Sequence, residues 1–229
     1  MYFSLITPTP GYERDAAHEW TRGAYVEHQW LWQFLPAPAG TPRSFLFRRR
    51  DQDGLPRFYV VSDREPVAPT SSWQVQSKVY APAFAPGSRL EFELRANPVV
   101  STHNASGKTV RHDVVMQEKT RLLKERHLAR WADWKTPDRP PLQDVIGRTC
   151  GEWFRARSER LGMALDADTP SVEGYDQHRG KNGEIRFSTV DLRGTFRVVD
   201  ADALRSALYR GVGHAKAFGC GLLLIRPVS

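Results

Sequence analysis

The chain has 229 residues, of which 40% are hydrophobic, a content that suffices for one large globular domain or two small ones. Its formal net charge of +7 and isoelectric point of about 9.6 favour a polyanionic partner, although many basic globular proteins share this balance. The sequence has neither a signal-peptide core nor an apolar run long enough to cross a bilayer, so we exclude a membrane protein and expect a cytoplasmic one.

The first part of the chain predicts one helix among four strands. Apolar residues recur at helical spacing from Trp20 to Phe34, which indicates a helix. A loop that contains Asp53-Gly54 suits a tight hairpin between the second and third strands, and the crossover to the fourth strand is irregular or helical. The predicted strands are residues 1–7, Phe45–Arg50, Arg57–Ser62 and Trp73–Tyr80.

The second part repeats this order on a larger scale. Leu90, Phe92 and Leu94 alternate with charged residues, as in a half-buried strand. Asp144 is predicted to cap a helix that runs to about Leu161, and Asp200 to cap a helix that Gly211 ends. The predicted strands here are Arg89–Ala96, residues 164–175, residues 184–199 and Leu222–Ile225.

A basic insert occupies residues 97–143, and its middle is predicted to be helical from Gln117 to Trp134. One interpretation is a solvated helix whose apolar edge packs on the domain. The other is a basic arm that contacts RNA or a neighbouring protein. The sequence leaves both interpretations open, although residues 86–229 do carry most of the excess positive charge, with 24 Lys or Arg against 18 Asp or Glu.

The C-terminal segment has the spacing GxGxxKxxGxGLL, with four glycines around Lys216. Glycines allow backbone N–H groups to approach an anion closely, and a lysine adds positive charge, so a phosphate backbone is the expected ligand. The segment is neither a Walker A loop nor a dinucleotide fingerprint, because those follow a strand and precede a helix, and here the order is reversed. The glycines are Gly211, Gly213, Gly219 and Gly221.

With these features the sequence resembles the repeat-associated RNA-processing proteins of CRISPR systems, and within them the CasE-type endoribonucleases of the type I-E Cascade complex. The glycine segment carries the resemblance to the broad group, and three further stretches carry it to the subfamily. These stretches are Met1–Leu5, Tyr25–Pro36 and Leu94–Pro98. The resemblance implies an endoribonuclease that cleaves precursor CRISPR RNA within the repeat stem-loop and stays bound to the product as a subunit of Cascade.

Together the element order and the resemblance predict an α+β fold with two tandem ferredoxin-like (βαββαβ) domains. We place the first domain, with the candidate catalytic helix, at residues 1–85. The second domain, at residues 86–229, contains the basic insert and the glycine segment. The joint between the two is expected near Pro82–Pro86.

Tyr25 and His28 are the candidate catalytic residues. They lie three positions apart on the predicted first helix, so both side chains project from one face. Histidine suits proton transfer near neutral pH. From spacing alone, packing on an aromatic-rich helix is the commoner explanation. The resemblance implies catalysis by this pair, in which the histidine transfers the proton and the tyrosine is its hydrogen-bonding or orienting partner.

Candidate RNA-binding residues are spread over three segments. Lys216 stands out because glycines surround it, and the other cations are Lys108 and Arg111 in the insert and Arg179 and Lys181 in a predicted basic hairpin. A-form RNA is recognised mainly through its backbone and shape, which favours such contacts. His214 is an exposed turn residue or, as the second possibility, an RNA contact.

The sequence predicts no metal site and no cofactor. Cys150 and Cys220 are far apart and lack metal-ligand spacing, so both are expected to be buried and unpaired, and no dense group of acidic residues stands out. Cleavage is therefore expected to be independent of metal. Two alternatives stay open. One is a non-catalytic RNA-binding scaffold subunit of the same superfamily. The other is a double ferredoxin-like RNA-binding protein unrelated to CRISPR, but the sequence has no evident RNP-like motif that would support it.

Overall fold

The computed structural model describes residues 1–20, 24–104, 106–179 and 186–228, with the side chains of residues 24–26 left aside. The chain forms two compact units, of which unit 1 comprises Met1–Phe84 with Arg205–Leu223, and unit 2 comprises Ala85–Leu204 with Leu224–Ser229. This division differs from a simple cut after residue 85, because the segment that contains the glycines belongs to unit 1. The two predicted domain ranges stay a prediction.

Unit 1 has one four-stranded antiparallel sheet in the order β2-β3-β1-β4, which is the ferredoxin-like order. An irregular crossover, rather than a second helix, leads from β3 to β4. The elements are β1 (Tyr2–Pro8), α1 (Glu13–Glu19), α2 (Ala24–Leu31), a 3-10 turn (Trp32–Phe34), β2 (Phe45–Gln52), β3 (Leu55–Ser62) and β4 (Trp73–Val79).

The hairpin between β2 and β3 forms as the sequence predicts. Asp53 and Gly54 both have positive φ, at 54° and 77°, which is the conformation of the tight hairpin turn that an Asp-Gly pair favours. The single helix predicted from Trp20 to Phe34 is wrong, because Trp20 has extended backbone angles and ends α1. In place of the predicted helix, α1 ends just before Trp20, and α2 and a 3-10 turn follow from Ala24 to Phe34.

Aromatic side chains hold α2 on the sheet of unit 1. The Trp30 ring lies 4.5 Å from that of Trp73 and 4.8 Å from that of Phe34, measured between centroids. Phe58 contributes from β3 and lies 5.0 Å from Trp30. These rings are buried, and their apolar area is the main stabilisation of this helix. The packing fixes which side of α2 faces away from the core.

Unit 2 contains a second antiparallel sheet in the order β11-β5-β10-β8, with β9 also paired to β10. This is the ferredoxin-like order again, so the α+β fold with two ferredoxin-like sheets is confirmed. The elements of this part of the chain are β5 (Arg89–Ala96), β6 (Val99–His103), β7 (Thr109–Asp113), α3 (Val114–Glu125), α4 (Leu142–Ser158), β8 (Met163–Leu165), β9 (Ser171–Arg179), β10 (Arg186–Val198), α5 (Ala201–Arg210) and β11 (Leu223–Pro227). Of these, α5 belongs to unit 1 from Arg205 onward.

The basic insert is a hairpin followed by a short helix. β6 pairs with β7, and α3 begins at Val114 because the Asp113 carboxylate accepts the Met116 N–H at 2.8 Å. The helix predicted from Gln117 to Trp134 therefore starts too late and runs too far, since α3 ends at Glu125.

The helix caps agree with the sequence at one helix and differ at the other. Asp200 caps α5, since its Oδ1 accepts the N–H groups of Asp202 and Ala203 at 3.0 and 2.9 Å. Asp144 is not a cap, because α4 begins after Pro141, whose carbonyl accepts the Asp144 N–H at 3.1 Å.

The side chains that the sequence predicts to be buried in β5, and the two cysteines, are buried in the structure. Leu90, Phe92 and Leu94 are buried on one face of β5, and Cys150 and Cys220 are both buried. In the part of the chain that the structure describes, no helix is both long and apolar enough to cross a bilayer.

Candidate active site

His28 lies on α2 at the edge of the aromatic core and is half-buried. Its ring stacks on Phe45 with a centroid distance of 5.7 Å and an interplanar angle of 24°, and Trp32 contacts it edge-on at 6.3 Å. The Nε2 atom is buried and has no hydrogen-bond partner among the described residues. The aromatic contacts therefore fix the ring while one nitrogen stays unsatisfied.

The surroundings of His28 keep its imidazole neutral. Burial lowers its pKa, and the positive charge of Arg43 lowers the pKa further. An unperturbed histidine has a pKa of about 6.5, so at neutral pH this ring is in the form that accepts a proton.

Arg43 is a candidate site residue that the sequence did not indicate. It lies just before β2, is half-buried, and its Nη1 is buried without a hydrogen-bond partner among the described residues. Burial lowers the pKa of the guanidinium, although arginine stays charged in proteins. Its charge also lowers the pKa of Lys216. Arg43 stands alone between a proline and a serine, so no motif or regular spacing in the sequence marks it as part of a site.

The glycine segment folds back on itself within unit 1. The Gly211 N–H donates to the Ala207 carbonyl at 2.8 Å and ends α5, while the Val212 N–H donates to the Gly221 carbonyl at 2.9 Å and closes the base of a loop. The four glycines have φ between 74° and 90°, which L-residues rarely adopt. We call residues 211–221 the glycine loop.

Three glycines of this loop are required by close packing as well as by backbone angle. A Cβ on Gly211 would lie 2.9 Å from both Cδ atoms of Leu46, and one on Gly221 would lie 2.8 Å from the Val212 carbonyl oxygen. At Gly219 the nearest atom, on the Phe47 ring, would be 3.3 Å away. The sequence predicted ligand contact for these glycines and a helix end at Gly211, and α5 does end at Arg210. In addition, Gly211 and Gly219 lie against Leu46 and Phe47 of β2.

Lys216 lies in the 3-10 turn Lys216–Phe218, which packs against α2 and β2. Its Nζ donates to the carbonyl of Arg210, the last residue of α5, at 2.6 Å. Burial and then the charge of Arg43 lower its pKa. The ammonium group thus stabilises a helix C-terminus, a role that the sequence did not suggest.

The acidic residue next to His28 is already paired. Glu27 is buried and accepts from Arg49 Nη1 at 2.7 Å, while the same guanidinium binds the Asp51 carboxylate through Nε and Nη2 at 2.7 and 2.6 Å. Arg49 also covers the Trp20 ring at 4.4 Å. This cluster leaves the Arg43 charge uncompensated by Glu27.

The structure brings some predicted site residues together and leaves others apart. Within unit 1 the helix of His28 packs against the turn of Lys216, and the exposed Gly213 and His214 lie in the same loop. The Tyr25 backbone is in α2, three residues before His28, but its side chain lies outside the described part of the structure. Lys181 lies outside the described residues.

Three predicted cations belong to unit 2 instead. Lys108 is exposed in the turn between β6 and β7, Arg111 is exposed on β7, and Arg179 is exposed at the end of β9. Across the described ranges, no three His, Cys, Asp or Glu side chains converge as metal ligands. Nothing about the reaction follows from this.

Comparisons with known proteins place this chain in a family. A family model described as CRISPR associated protein matches residues 1–227. The chain is 27% identical over 215 residues to the CRISPR system Cascade subunit CasE of Escherichia coli K12, with 93% of this chain and 96% of CasE covered. It is 30% identical over 162 residues to the CRISPR-associated endoribonuclease Cse3 of Thermus thermophilus, with 66% and 61% covered.

A solved structure of the CRISPR endoribonuclease Cse3 bound to 19 nt RNA is similar to this fold, with a TM-score of 0.65 and 26% identity over 99% of both chains. The crystal structure of Cas6e from Escherichia coli K-12 has a TM-score of 0.58 at 22% identity, with all of both chains covered, and supports the fold alone. Because the family model spans almost every residue, the chain belongs to the CRISPR associated protein family.

Proposed function

We propose that this protein is a metal-independent endoribonuclease that cleaves precursor CRISPR RNA within the repeat stem-loop and then stays bound to the product as a Cascade subunit. The observation that carries the proposal is the neutral imidazole of His28, with an unsatisfied Nε2 beside the charge of Arg43. The relatives support it by their names, since one is a Cascade subunit and another an endoribonuclease.

Cleavage without a metal requires a proton acceptor and positive charge at the same phosphate. In our proposal His28 accepts the proton of the 2′-hydroxyl, whose oxygen attacks the phosphorus. The bond from phosphorus to the 5′-oxygen then breaks, and that oxygen takes up a proton. The products are a 2′,3′-cyclic phosphate and a 5′-hydroxyl. Tyr25 is proposed to orient the imidazole from the preceding turn of α2.

The remaining predicted cations are proposed to hold the RNA backbone. Arg179, Lys181, Lys108 and Arg111 supply positive charge in unit 2, and the exposed Gly213 and His214 lie in the loop beside α2. Contacts of this kind recognise the shape of a stem-loop through its phosphates. Their affinity is expected to fall steeply with salt, because neutralised phosphates release counterions.

The proposal is tested with purified protein and a labelled repeat hairpin in the presence of EDTA. We expect cleavage that ends in a 2′,3′-cyclic phosphate or its hydrolysed product, and we expect His28→Ala to bind the hairpin without cutting it. Complete inhibition by chelation that magnesium restores would show that cleavage needs a metal. A cytoplasmic location is part of the proposal, because the substrate is a cellular transcript.

The second candidate is a non-catalytic RNA-binding scaffold subunit. The stacking of His28 on Phe45 favours it, since ordinary packing also explains that contact. The same experiment separates the two functions. A scaffold binds the hairpin but leaves it intact both in the wild type and in His28→Ala.

A further inference from the structure

Arg43 is a half-buried cation that the described residues leave without a compensating group. The guanidinium has five N–H donors, and its Nη1 is buried with no acceptor in the described ranges. A buried donor that finds no acceptor destabilises the folded state. Arginine is also the side chain best suited to bind the paired oxygens of a phosphate.

The neighbouring acidic residues are engaged elsewhere. Glu27 pairs with Arg49 at 2.7 Å. Asp63 accepts from the Ser44 hydroxyl at 2.6 Å and contacts Arg64 at 3.4 Å. Burial is the cause of the lowered pKa of Arg43, with no described carboxylate opposing it. The charge of the guanidinium therefore has no partner of opposite sign in the described residues.

The groups around Arg43 are basic instead. Its charge acts on His28 of α2 and on Lys216 of the glycine loop, and it lowers the pKa of each. The three segments meet, because His28 stacks on Phe45, two residues after Arg43, and α2 packs against the turn that begins at Lys216. No described carboxylate contributes to the pKa shift of any of the three groups. Such an arrangement is unfavourable in the empty protein and becomes favourable when an anion binds.

We infer that Arg43 binds the scissile phosphodiester, donating its unpaired N–H groups to the non-bridging oxygens while His28 accepts the proton. This inference rests on the proposed function and adds to it the residue that stabilises the reacting phosphate. The pentacoordinate phosphorus carries more negative charge on these oxygens than the substrate does. The guanidinium therefore stabilises the transition state more than the ground state.

The site also couples phosphate binding to the strength of the base. In the free protein Arg43 disfavours the protonated form of His28. A bound phosphate offsets that charge, so the pKa of His28 rises and the ring accepts the 2′-proton more readily. Other charged groups on the elements packed against His28 are Glu27 on α2, Arg49 on β2 and Lys216 in the turn that packs on α2, and the first two are paired with each other.

The test compares Arg43→Gln and Arg43→Lys with the exposed Arg14→Gln as a matched control in the same unit. The first measurement is the rate of single-turnover cleavage of the repeat hairpin. The second is the affinity for an uncleavable hairpin with a 2′-deoxy substitution at the cleaved nucleotide, whose position is mapped from the product of the wild type. We expect Arg43→Gln to slow cleavage by about 100-fold to 1,000-fold. Affinity falls by less than about tenfold, because many other phosphates are bound. Arg43→Lys recovers part of the rate, and Arg14→Gln retains all of it.

A third measurement does not depend on cleavage. Inorganic phosphate is titrated into the wild type, into Arg43→Lys, which keeps the charge, and into Arg43→Gln. NMR follows the ring signals of His28, which are assigned by their loss in His28→Ala. We expect phosphate to raise the pKa of His28 in the wild type and much less in Arg43→Gln. Cleavage by a folded Arg43→Gln within about threefold of wild type, or an unchanged response to phosphate, would overturn the inference while the proposed function stands. A wild type that never cleaves overturns the function, and the phosphate titration then decides whether the anion site exists.

Discussion

The guanidinium of Arg43 lowers the pKa of the His28 imidazole, although the two residues are 15 positions apart in the sequence. His28 comes from α2, and Arg43 comes from the segment that leads into β2. Each has a buried nitrogen without a partner in the described part of the chain. The pair is therefore poised for a ligand that supplies both an acceptor and negative charge.

The first prediction concerns the pH dependence of cleavage. The pKa of His28 lies below its ordinary value, so the neutral ring persists into mildly acidic solution. Cleavage by the wild type at subsaturating concentrations, which reports the ionisation of the free protein, should rise with pH and level off near neutrality. With the Arg43 charge removed, as in Arg43→Gln, the acidic limb should move to higher pH. An acidic limb that stays in place would show that the Arg43 charge does not act on the titrating group.

The same shift predicts how acid affects folding. Because the pKa of His28 is lower in the folded than in the unfolded chain, the unfolded chain binds the proton first as the pH falls below about 6.5. The contribution of His28 to stability is thus present at neutral pH and is lost on acidification. Urea unfolding at several pH values should show a smaller loss below pH 6.5 for His28→Gln than for the wild type. Equal losses in both would contradict the shift.

Lys216 and His28 should have separable effects. Replacing Lys216 with methionine keeps the aliphatic packing but removes the bond from Nζ to the Arg210 carbonyl, so we expect a loss of about 0.5–1.5 kcal/mol in the free energy of unfolding. RNA affinity should weaken as well, whereas His28→Ala should mainly abolish cleavage. Urea unfolding and hairpin binding measure the two effects. An equal loss of affinity in the two variants would refute this division.

Gly211 should tolerate no side chain. An added Cβ lies 2.9 Å from the Leu46 side chain, and the backbone has φ of 74°, so Gly211→Ala should destabilise the protein by about 2–4 kcal/mol. Gly87→Ala is the matched control, because Gly87 has φ of 84° but nothing lies within 4 Å of a Cβ there. That variant should lose only about 1 kcal/mol. Similar losses at both positions would show that backbone angle alone matters and that contact with Leu46 is unimportant.

The Glu27–Arg49 pair should matter more for stability than the Arg49–Asp51 pair. Glu27 is buried, so Glu27→Gln leaves a guanidinium partly uncompensated and should cost about 1–3 kcal/mol in urea unfolding. Asp51 is exposed, and Asp51→Asn should cost less than about 1 kcal/mol. The reverse order would mean that the buried contact is not the stabilising one.

Both thiols should resist modification in the folded protein. Burial raises the pKa of Cys150 to about 12, so almost none of it is thiolate at pH 8, and Cys220 is buried as well. We expect negligible reaction with a thiol reagent in native buffer and complete reaction in denaturant. Rapid native labelling of Cys150→Ser would identify Cys220 as accessible and contradict its burial.

Local chemistry determined the parts of this protein that the sequence predicted correctly. Asp53-Gly54 fixes a hairpin by its own backbone preferences, Asp200 caps the helix that begins at the next residue, and the alternation of Leu90 and Phe92 marks one buried face of a strand. Each signal lies within a few residues and needs no knowledge of the rest of the chain. The His28 position and the glycine segment came from the resemblance together with such local signals.

Only the tertiary structure decided what surrounds His28. Phe45, Arg43 and the glycine loop reach it from segments distant in sequence, and no periodicity records such an approach. The same holds for Lys216, whose partner is a helix end, and for Gly211, whose missing side chain makes room for Leu46. Burial and electrostatics at a site depend on all neighbours in space, whereas the sequence displays only the neighbours along the chain.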